Sequence, residues 1–164
     1  PNGEYDWCIL DEAANSSLET FMEDIDTIFY GRVSYDLWGN YQPEESAPAF
    51  MKDLFNAVHS KEKIVFSRTK SGDGKATFIS ADLEQQVKEI RNKPGKNIWL
   101  YGGAGLIKTF MELGLIDEFR LAVHPIILGK GKALFSNIDN RMQLKLKSAT
   151  PSQSGVILLV YEKA

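Results

Sequence analysis

Strand-like and helix-like segments alternate along this chain until about residue 115, and only extended segments follow. An alternation of this kind favours a parallel sheet whose strands are joined by crossover helices. The last two extended segments meet at residues 152–155, where "SQSG" predicts a hairpin that adds antiparallel strands to one edge. The sequence therefore predicts an α/β fold with a mixed, mainly parallel sheet, helices on both faces and an antiparallel C-terminal hairpin.

The individual elements follow from apolar runs and from helix start and stop signals. Apolar runs predict strands at residues 26–31, 63–67, 76–80, 97–101, 118–128, 142–152 and 155–164. Apolar residues at helical spacing predict helices at residues 15–25, 32–39, 46–58, 82–93 and 104–114. We expect Asn15 or Ser16 to cap the first helix and Asp82 the fourth. The last strand is nearly continuous in apolar residues, which predicts burial on both of its faces.

Length and composition indicate one globular domain and exclude several classes of protein. The chain has 164 residues, 43% of them hydrophobic, and a net charge of −3 without a dense basic block. We therefore expect a single domain that binds no nucleic acid. A single cysteine, Cys8, and two histidines make a metal site an unfavourable reading, and no apolar run is long enough to predict a membrane span. The expected location is the cytoplasm.

The turn after the strand at 97–101 contains Gly102, Gly103 and Gly105 and leads into a helix. Glycines let a backbone approach an anion closely, and the amides of residues 104–107 would lie at the positive end of the helix dipole. The alternative is a tight turn that serves packing alone. The segment matches neither the dinucleotide fingerprint, which needs a third glycine where Lys108 stands, nor the Walker loop.

Two more predicted strands end in segments suited to anions. Gly31 and Arg32 follow one strand, and Ser67, Arg68 and Thr69 follow the next. A guanidinium flanked by hydroxyls can form paired hydrogen bonds with a phosphate. In open α/β sheets, ligands bind outside the carboxyl ends of the strands. Three such segments on one rim predict a ligand with several phosphates.

These segments, "GRVSYDLW" at 31–38, "IVFSRT" at 64–69 and residues 98–135, resemble the dihydrofolate-reductase-like superfamily. The closer resemblance is to the C-terminal reductase domain of the riboflavin-biosynthesis deaminase-reductase, here as a stand-alone bacterial member. It implies a sheet that binds NADPH along one rim. Near the cofactor phosphates it places Gly31, Arg32, Val33 and Ser34. Near the adenosine 2′-phosphate it places Ser67, Arg68 and Thr69. Under the pyrophosphate it places Gly102, Gly103, Ala104, Gly105, Leu106 and Ile107.

The resemblance implies an NADPH-dependent reductase of a small heterocyclic substrate, similar to 5-amino-6-(5-phosphoribosylamino)uracil reductase. An NADP(H)-binding protein without turnover is the alternative, and a true dihydrofolate reductase is a weaker one. The helix that carries a carboxylate in dihydrofolate reductases offers Asn15, Ser16 and Ser17 here. Family members also begin with a central strand that we expect to be absent from residues 1–164.

Substrate contacts are less clearly marked than cofactor contacts. Asp6 and Trp7 could line the substrate pocket, and Tyr35 and Trp38 could stack on a planar ring, although a core or solvent role is the competing reading for each. The resemblance places Lys130 and Lys132 on the substrate side. The set of weak substrate candidates is Asp6, Trp7, Tyr35, Trp38, Lys130 and Lys132. His59 is interpreted as a helix C-terminal charge and His124 as a sheet residue, so no catalytic residue is named. A homodimer is expected.

Overall fold

The computed structural model describes residues 7–9, 12–136 and 138–164, with the backbone alone described at residues 12–15. The chain divides into two compact units. One is Leu18–Ile107, and the other combines Lys108–Ala164 with the described residues before Leu18. The expectation of a single domain stays a prediction.

The order of elements reproduces the predicted alternation. The helices are α1 (Glu12–Glu23), α2 (Arg32–Ser34, continued by a π-helical turn at Tyr35–Gly39), α3 (Ala49–His59), α4 (Leu83–Arg91) and α5 (Ala104–Glu112). The strands are β1 (Ile25–Gly31), β2 (Glu62–Phe66), β3 (Thr77–Ile79), β4 (Asn97–Gly102), β5 (Glu118–Val123), β6 (Leu144–Pro151) and β7 (Ile157–Lys163).

The first four strands form a parallel sheet with the order β3-β2-β1-β4. Tyr30 is aligned with Val65 of β2 on one side and with Gly102 of β4 on the other, so the carboxyl ends of these three strands lie at the same edge. Four consecutive residues of β1 are buried, as are the last four of β2. Burial on both faces is the expected environment of a parallel strand, and it fixes where each following loop begins.

One face of this sheet carries the hydrophobic core of the unit. Met22 of α1, Ile28 of β1, Val58 of α3 and Val65 of β2 are 0–2% exposed and belong to one cluster. The amphipathic helices predicted from 3.6-residue spacing therefore place their apolar stripes on the sheet as expected. The fold class is confirmed.

Two predicted helix caps are not borne out. α1 begins at Glu12, so Asn15 and Ser16 lie inside the helix, which is a position that serine tolerates at a small cost in helix propensity. Asp82 does occupy the position before α4, but it has φ 51° and its side chain makes no capping hydrogen bond. Both caps are predicted from residue type, and residue type alone does not fix the backbone geometry that a helix cap requires.

The last three strands form a second, antiparallel sheet with the order β5-β7-β6. Ser152 N–H donates to Val156 O across the turn, which confirms the predicted hairpin. We expect one mixed sheet from the sequence, but the described strands form two separate sheets. β7 pairs with β5 and β6, and none of these three strands pairs with a strand of the parallel sheet. Burial on both faces of β7 is also not observed, since Val160 is its one buried residue.

The described residues show neither a membrane-spanning helix nor a metal-binding cluster. None of their helices is long and apolar enough to cross a membrane. Nor do they include a group of three or more His, Cys, Asp or Glu side chains arranged to hold a metal ion.

Candidate functional site

Three loops meet at the carboxyl edge of the parallel sheet, at the ends of the adjacent strands β2, β1 and β4. They are residues 31–34, 67–70 and 102–107, and all lie within the unit Leu18–Ile107. We call them the cofactor loops. Every cofactor-binding residue expected from the sequence belongs to one of these loops.

The first and third loops touch through their backbones. A Cβ added to Gly31 would lie 3.4 Å from Gly102 O and 3.6 Å from Gly103 N, which is ordinary van der Waals contact, so the two backbones lie side by side. Gly102 has φ +125°, which favours glycine, and the Gly102–Gly103 peptide bond is cis. A Cβ on Gly103 would lie 3.3 Å from Ser34 Oγ. Ser34 therefore faces the glycine turn.

The start of α5 offers fewer amide donors than the sequence predicts. Leu106 N–H and Ile107 N–H both donate to Gly103 O, at 2.9 and 3.0 Å, as the first bonds of the helix. Amides already committed to a carbonyl are poor donors for a ligand. The expectation therefore narrows to the residues before Leu106, with Ala104 as the first helical residue.

The loop after β2 is organised by Ser67. Its side chain is buried, and its Oγ accepts hydrogen bonds from Thr69 N–H (3.3 Å) and Lys70 N–H (3.0 Å). Arg68 and Thr69 are exposed, and Arg68 makes no ion pair in the part of the chain that the structure describes. Ser67 thus shapes the turn, whereas Arg68 presents an uncommitted guanidinium at the sheet edge.

A carboxylate links the first two loops. Asp36 Oδ2 accepts a hydrogen bond from Arg32 Nη1 at 2.8 Å, and Asp36 Oδ1 accepts one from Lys70 Nζ at 3.0 Å. Lys70 also lies 5.7 Å from the ring centroid of Phe78. Sequence reasoning missed Asp36 and Lys70. The four-residue spacing of Arg32 and Asp36 on a helix was the signal available for one half of this network.

Tyr35 is part of the core and not of an open pocket. Its side chain is 0% exposed, and its hydroxyl donates to Asp73 Oδ2 at 2.8 Å. Burial, and then the hydrogen bond and negative charge of Asp73, raise the pKa of Tyr35. A ring without exposed surface cannot stack on a ligand, so the sequence-based suggestion of a substrate contact at Tyr35 is dropped.

Trp38 belongs to a layer of aromatic side chains on the same face of the sheet. Its ring stacks on Tyr101 with centroids 4.4 Å apart and packs edge-on against Trp99 at 5.6 Å. The ring of Tyr30 lies 5.4 Å from that of Tyr101, and Tyr30 Oη has no hydrogen-bond partner among the described residues. Trp38 is half-buried, so it retains surface for a ligand, although most of its contacts are with the core.

His59 and Lys63 form a second polar pair within this unit. Lys63 is 8% exposed, and its Nζ lies 2.6 Å from His59 Nδ1. The other ring nitrogen of His59 lies 2.9 Å from Tyr41 O, which only accepts, so Nε2 carries the proton and Nδ1 accepts from Lys63. Burial and the charge of Lys63 lower the pKa of His59, which makes it a neutral ring and not the helix-terminal charge that we expected.

The remaining sequence candidates lie in the other unit. Trp7 packs edge-on against His124, whose Nδ1 accepts a hydrogen bond from Ile9 N–H at 3.3 Å. Burial raises the pKa of the nearby Cys8 thiol. Lys130 and Lys132 are exposed in the segment after β5. The sixth candidate, Asp6, lies outside the described residues.

The family follows from a direct comparison. The model of a family described as the RibD C-terminal domain matches residues 1–158. The chain belongs to this family. A similar protein is the uncharacterized protein YyaP of Bacillus subtilis (strain 168). It is 49% identical over 161 residues, which cover 98% of this chain and 85% of YyaP. The family match confirms the resemblance inferred from the sequence. The family is one of reductase-like domains.

Solved structures show the same fold in this superfamily. The deaminase/5-amino-6-(5-phosphoribosylamino)uracil reductase of Thermotoga maritima aligns with a TM-score of 0.67 at 14% identity, covering 99% of this chain and 51% of that chain. Dihydrofolate reductase of Enterococcus faecalis, solved with NADP(H) and RAB-propyl, aligns with a TM-score of 0.61 at 14% identity, covering 90% and 81%. These similarities establish a dihydrofolate-reductase-like fold for this member of the RibD C-terminal domain family.

Proposed function

We propose that this chain is an NADPH-dependent reductase of a small heterocyclic substrate, similar to 5-amino-6-(5-phosphoribosylamino)uracil reductase. The observation that carries the proposal is the meeting of the three cofactor loops at one edge of the parallel sheet. In open α/β sheets this edge is where ligands bind. The chemical precedent is the Thermotoga maritima protein of the same fold, which is named for the reduction of 5-amino-6-(5-phosphoribosylamino)uracil.

Each cofactor loop has a distinct part in the proposed site. Gly31 lies against Gly102, whereas a Cβ built at Gly105 would meet open space, so the pyrophosphate is expected beside the start of α5. Ser34 Oγ lies near Gly103 and the amide of Ala104 begins α5, so both are proposed as donors to the pyrophosphate. Hydrogen bonds from backbone and hydroxyl groups to phosphate oxygens are charge-assisted and short, so a few of them suffice to orient a nucleotide.

Preference for NADPH over NADH is assigned to Arg68 and Thr69. Both are exposed on the turn that Ser67 Oγ stabilises, and the guanidinium of Arg68 is uncommitted within the described residues. A planar guanidinium binds a phosphate with two parallel hydrogen bonds and has no matching partner in a free 2′-hydroxyl. The 2′-phosphate of NADPH is therefore the group expected to bind there.

The nicotinamide, when bound, supplies the hydride; the protein binds and orients it and excludes water. Trp38, at the exposed margin of the aromatic layer, is the stacking candidate that remains in the cofactor unit. Trp7, Lys130 and Lys132 remain proposed substrate contacts, as does Asp6. We also propose that the protein is cytoplasmic and that it forms a homodimer. Sedimentation equilibrium of the purified chain tests the homodimer directly.

A nucleotide-binding protein without turnover is the second candidate. Among the cofactor loops and the π-helical turn, the acid is Asp36, and both of its oxygens are engaged by cations. Asp36 therefore already has a partner at each oxygen, and these segments offer no other acid to a substrate. True dihydrofolate reduction is a weaker candidate, because Asn15, Ser16 and Ser17 stand where that enzyme has its carboxylate.

Two successive measurements test the proposal. NADPH and NADH are first titrated while tryptophan fluorescence is recorded, since Trp38 and Trp99 lie in the aromatic layer of the same unit. NADPH oxidation is then followed with aminouracil ribosyl or ribityl phosphates and with dihydrofolate. Tight NADPH binding with oxidation by an aminouracil supports the reductase. Binding without oxidation by any compound favours the second candidate, and binding of neither nucleotide contradicts both.

A further inference from the structure

Asp36 occupies an unusual place for an acid, between two cations at the edge assigned to phosphates. Arg32 and Lys70 come from different loops, and one oxygen of Asp36 contacts each of them, at 2.8 and 3.0 Å. Arg68 adds a third cation at this edge, and a second carboxylate, Asp73, also lies near Lys70. A phosphate group bound there would present oxygens to the same cations as Asp36 does now.

We propose that Asp36 is a resident anion that competes with a ligand phosphate for Arg32 and Lys70, and so weakens nucleotide binding. The inference rests on the proposed function, because it takes the ligand to be a nucleotide with several phosphates. It makes Asp36 a residue that limits affinity and favours release, which a cofactor that must leave after each turnover requires.

The contacts of Asp36 are of a kind that a ligand can displace. The side chains of Arg32, Lys70 and Asp36 are 43%, 38% and 35% exposed, and ion pairs in such positions contribute little free energy. The Arg32–Asp36 pair is an i,i+4 contact on one helical segment, so Asp36 can turn away without moving the backbone.

The backbone at each cation is held without Asp36. Lys70 N–H is bound to Ser67 Oγ, and its ammonium lies over the ring of Phe78. Arg32 begins α2 directly after the close contact between Gly31 and Gly102. Loss of the Asp36 charge therefore leaves both cations at the sheet edge with one negative charge fewer beside them.

The test is the affinity of Asp36→Asn for NADPH, measured by equilibrium titration beside the wild type. Removing a charge a few ångströms from a phosphate in a partly screened site is expected to lower Kd about ten-fold. The difference should shrink at about 1 M salt, where the screening length falls to roughly 3 Å. Glu62→Gln is the matched control: it makes the same charge change at the amino end of β2, the opposite edge, and should leave Kd unchanged.

A second pair of variants separates competition from a general charge effect. In a chain that already carries Arg32→Ala and Lys70→Ala, Asp36→Asn should change Kd by less than about two-fold, because the contested cations are gone. A full ten-fold gain in that background would overturn the proposal, and so would an unchanged or raised Kd for Asp36→Asn alone, which would assign Asp36 a positioning role. Thermal unfolding of each variant confirms that it is folded.

The outcome also distinguishes this inference from the proposed function. If the wild type binds NADPH and Asp36→Asn binds it no more tightly, only the competition by Asp36 is refuted. If neither protein binds NADPH or NADH, the proposed function fails and the inference fails with it.

Discussion

Strands β1 and β7 each contain four consecutive residues that are mostly apolar, yet they differ in burial. In β1 the four residues from Thr27 to Tyr30 are all buried, whereas in β7 Val160 alone is buried and Ile157 is 38% exposed. β1 has parallel partners on both sides and packs against side chains of α1 and α3. β7 is central in an antiparallel sheet of three strands.

This difference shows that an apolar run indicates which side chains a strand could bury. The elements packed against the strand decide how many of them are buried. The loops after β1 and β2 begin next to buried strand residues, whose packing fixes the position of each loop. These loops carry Arg32 and Arg68. This contrast supports the proposal that the cofactor site lies on the parallel sheet. The antiparallel sheet instead exposes apolar residues such as Leu146, at 51%.

The largest expected effect compares one substitution in the two strands. Ile28→Ala removes a side chain that is 0% exposed and should lower the free energy of unfolding by about 3–4 kcal/mol. Ile157→Ala, the matched change in β7, should cost about 1 kcal/mol or less, because the side chain already contacts solvent. Urea denaturation followed by circular dichroism measures both values. Equal losses would show that the two strands are buried alike and would remove the contrast.

The next effect concerns binding at the ends of the buried strands. Arg68→Ala should raise the Kd for NADPH about 10–100-fold and the Kd for NADH by less than about three-fold, because a charge-assisted pair to the 2′-phosphate is lost. Arg120→Ala, on the antiparallel sheet, is the control and should leave both constants unchanged. Equal losses of NADPH and NADH affinity in Arg68→Ala would refute the assignment of the 2′-phosphate.

A smaller effect is a gain in stability from the buried lysine of β2. Burial, then the charge of Lys75, lowers the pKa of Lys63, so its ammonium form costs free energy in the folded state. Lys63→Met should therefore raise the free energy of unfolding by about 1 kcal/mol at pH 7. The gain is complete below the folded pKa and shrinks as the pH rises towards 10.5, the unfolded value.

The control for Lys63→Met is Lys147→Met on β6, an exposed lysine whose pKa is raised by its hydrogen bond with Glu118. That change should bring no gain in unfolding free energy, as measured by urea denaturation. A gain equal to that of Lys63→Met would mean that lysine removal stabilises either sheet without regard to burial.

The smallest effect is a dependence of stability on acid pH. Because burial lowers the pKa of His59 below its ordinary value of 6.5, the unfolded chain takes up a proton first, and stability falls as the pH drops below that value. His59→Gln should flatten this part of the curve, whereas His124→Gln, in the other unit, should leave it in place. A wild-type melting temperature that rises between pH 7 and pH 5.5 would contradict the neutral state of His59.

The sequence predicts the strands of the parallel sheet and the positions of the cofactor loops, because both depend on local spacing. It does not predict the contacts that join the loops. Asp36 and Lys70 are 34 positions apart, and Tyr35 and Asp73 are 38 positions apart. Such pairs arise when β1 and β2 align in register, and no local pattern records that alignment.

Residue type also misleads where several roles suit one side chain. Tyr35 has the spacing of a stacking residue but fills the core, and His59 ends a helix yet accepts from Lys63 and stays neutral. Burial and the identity of the tertiary partner decide the role in each case, and both follow from the packed structure.

The most direct test of the central claim is the backbone amide NMR spectrum of the chain titrated with NADP⁺. The account predicts the largest shift changes at residues 31–34, 67–70 and 102–107, with β6 and β7 of the antiparallel sheet little affected. Large changes confined to the antiparallel sheet, with the cofactor loops unmoved, would contradict it.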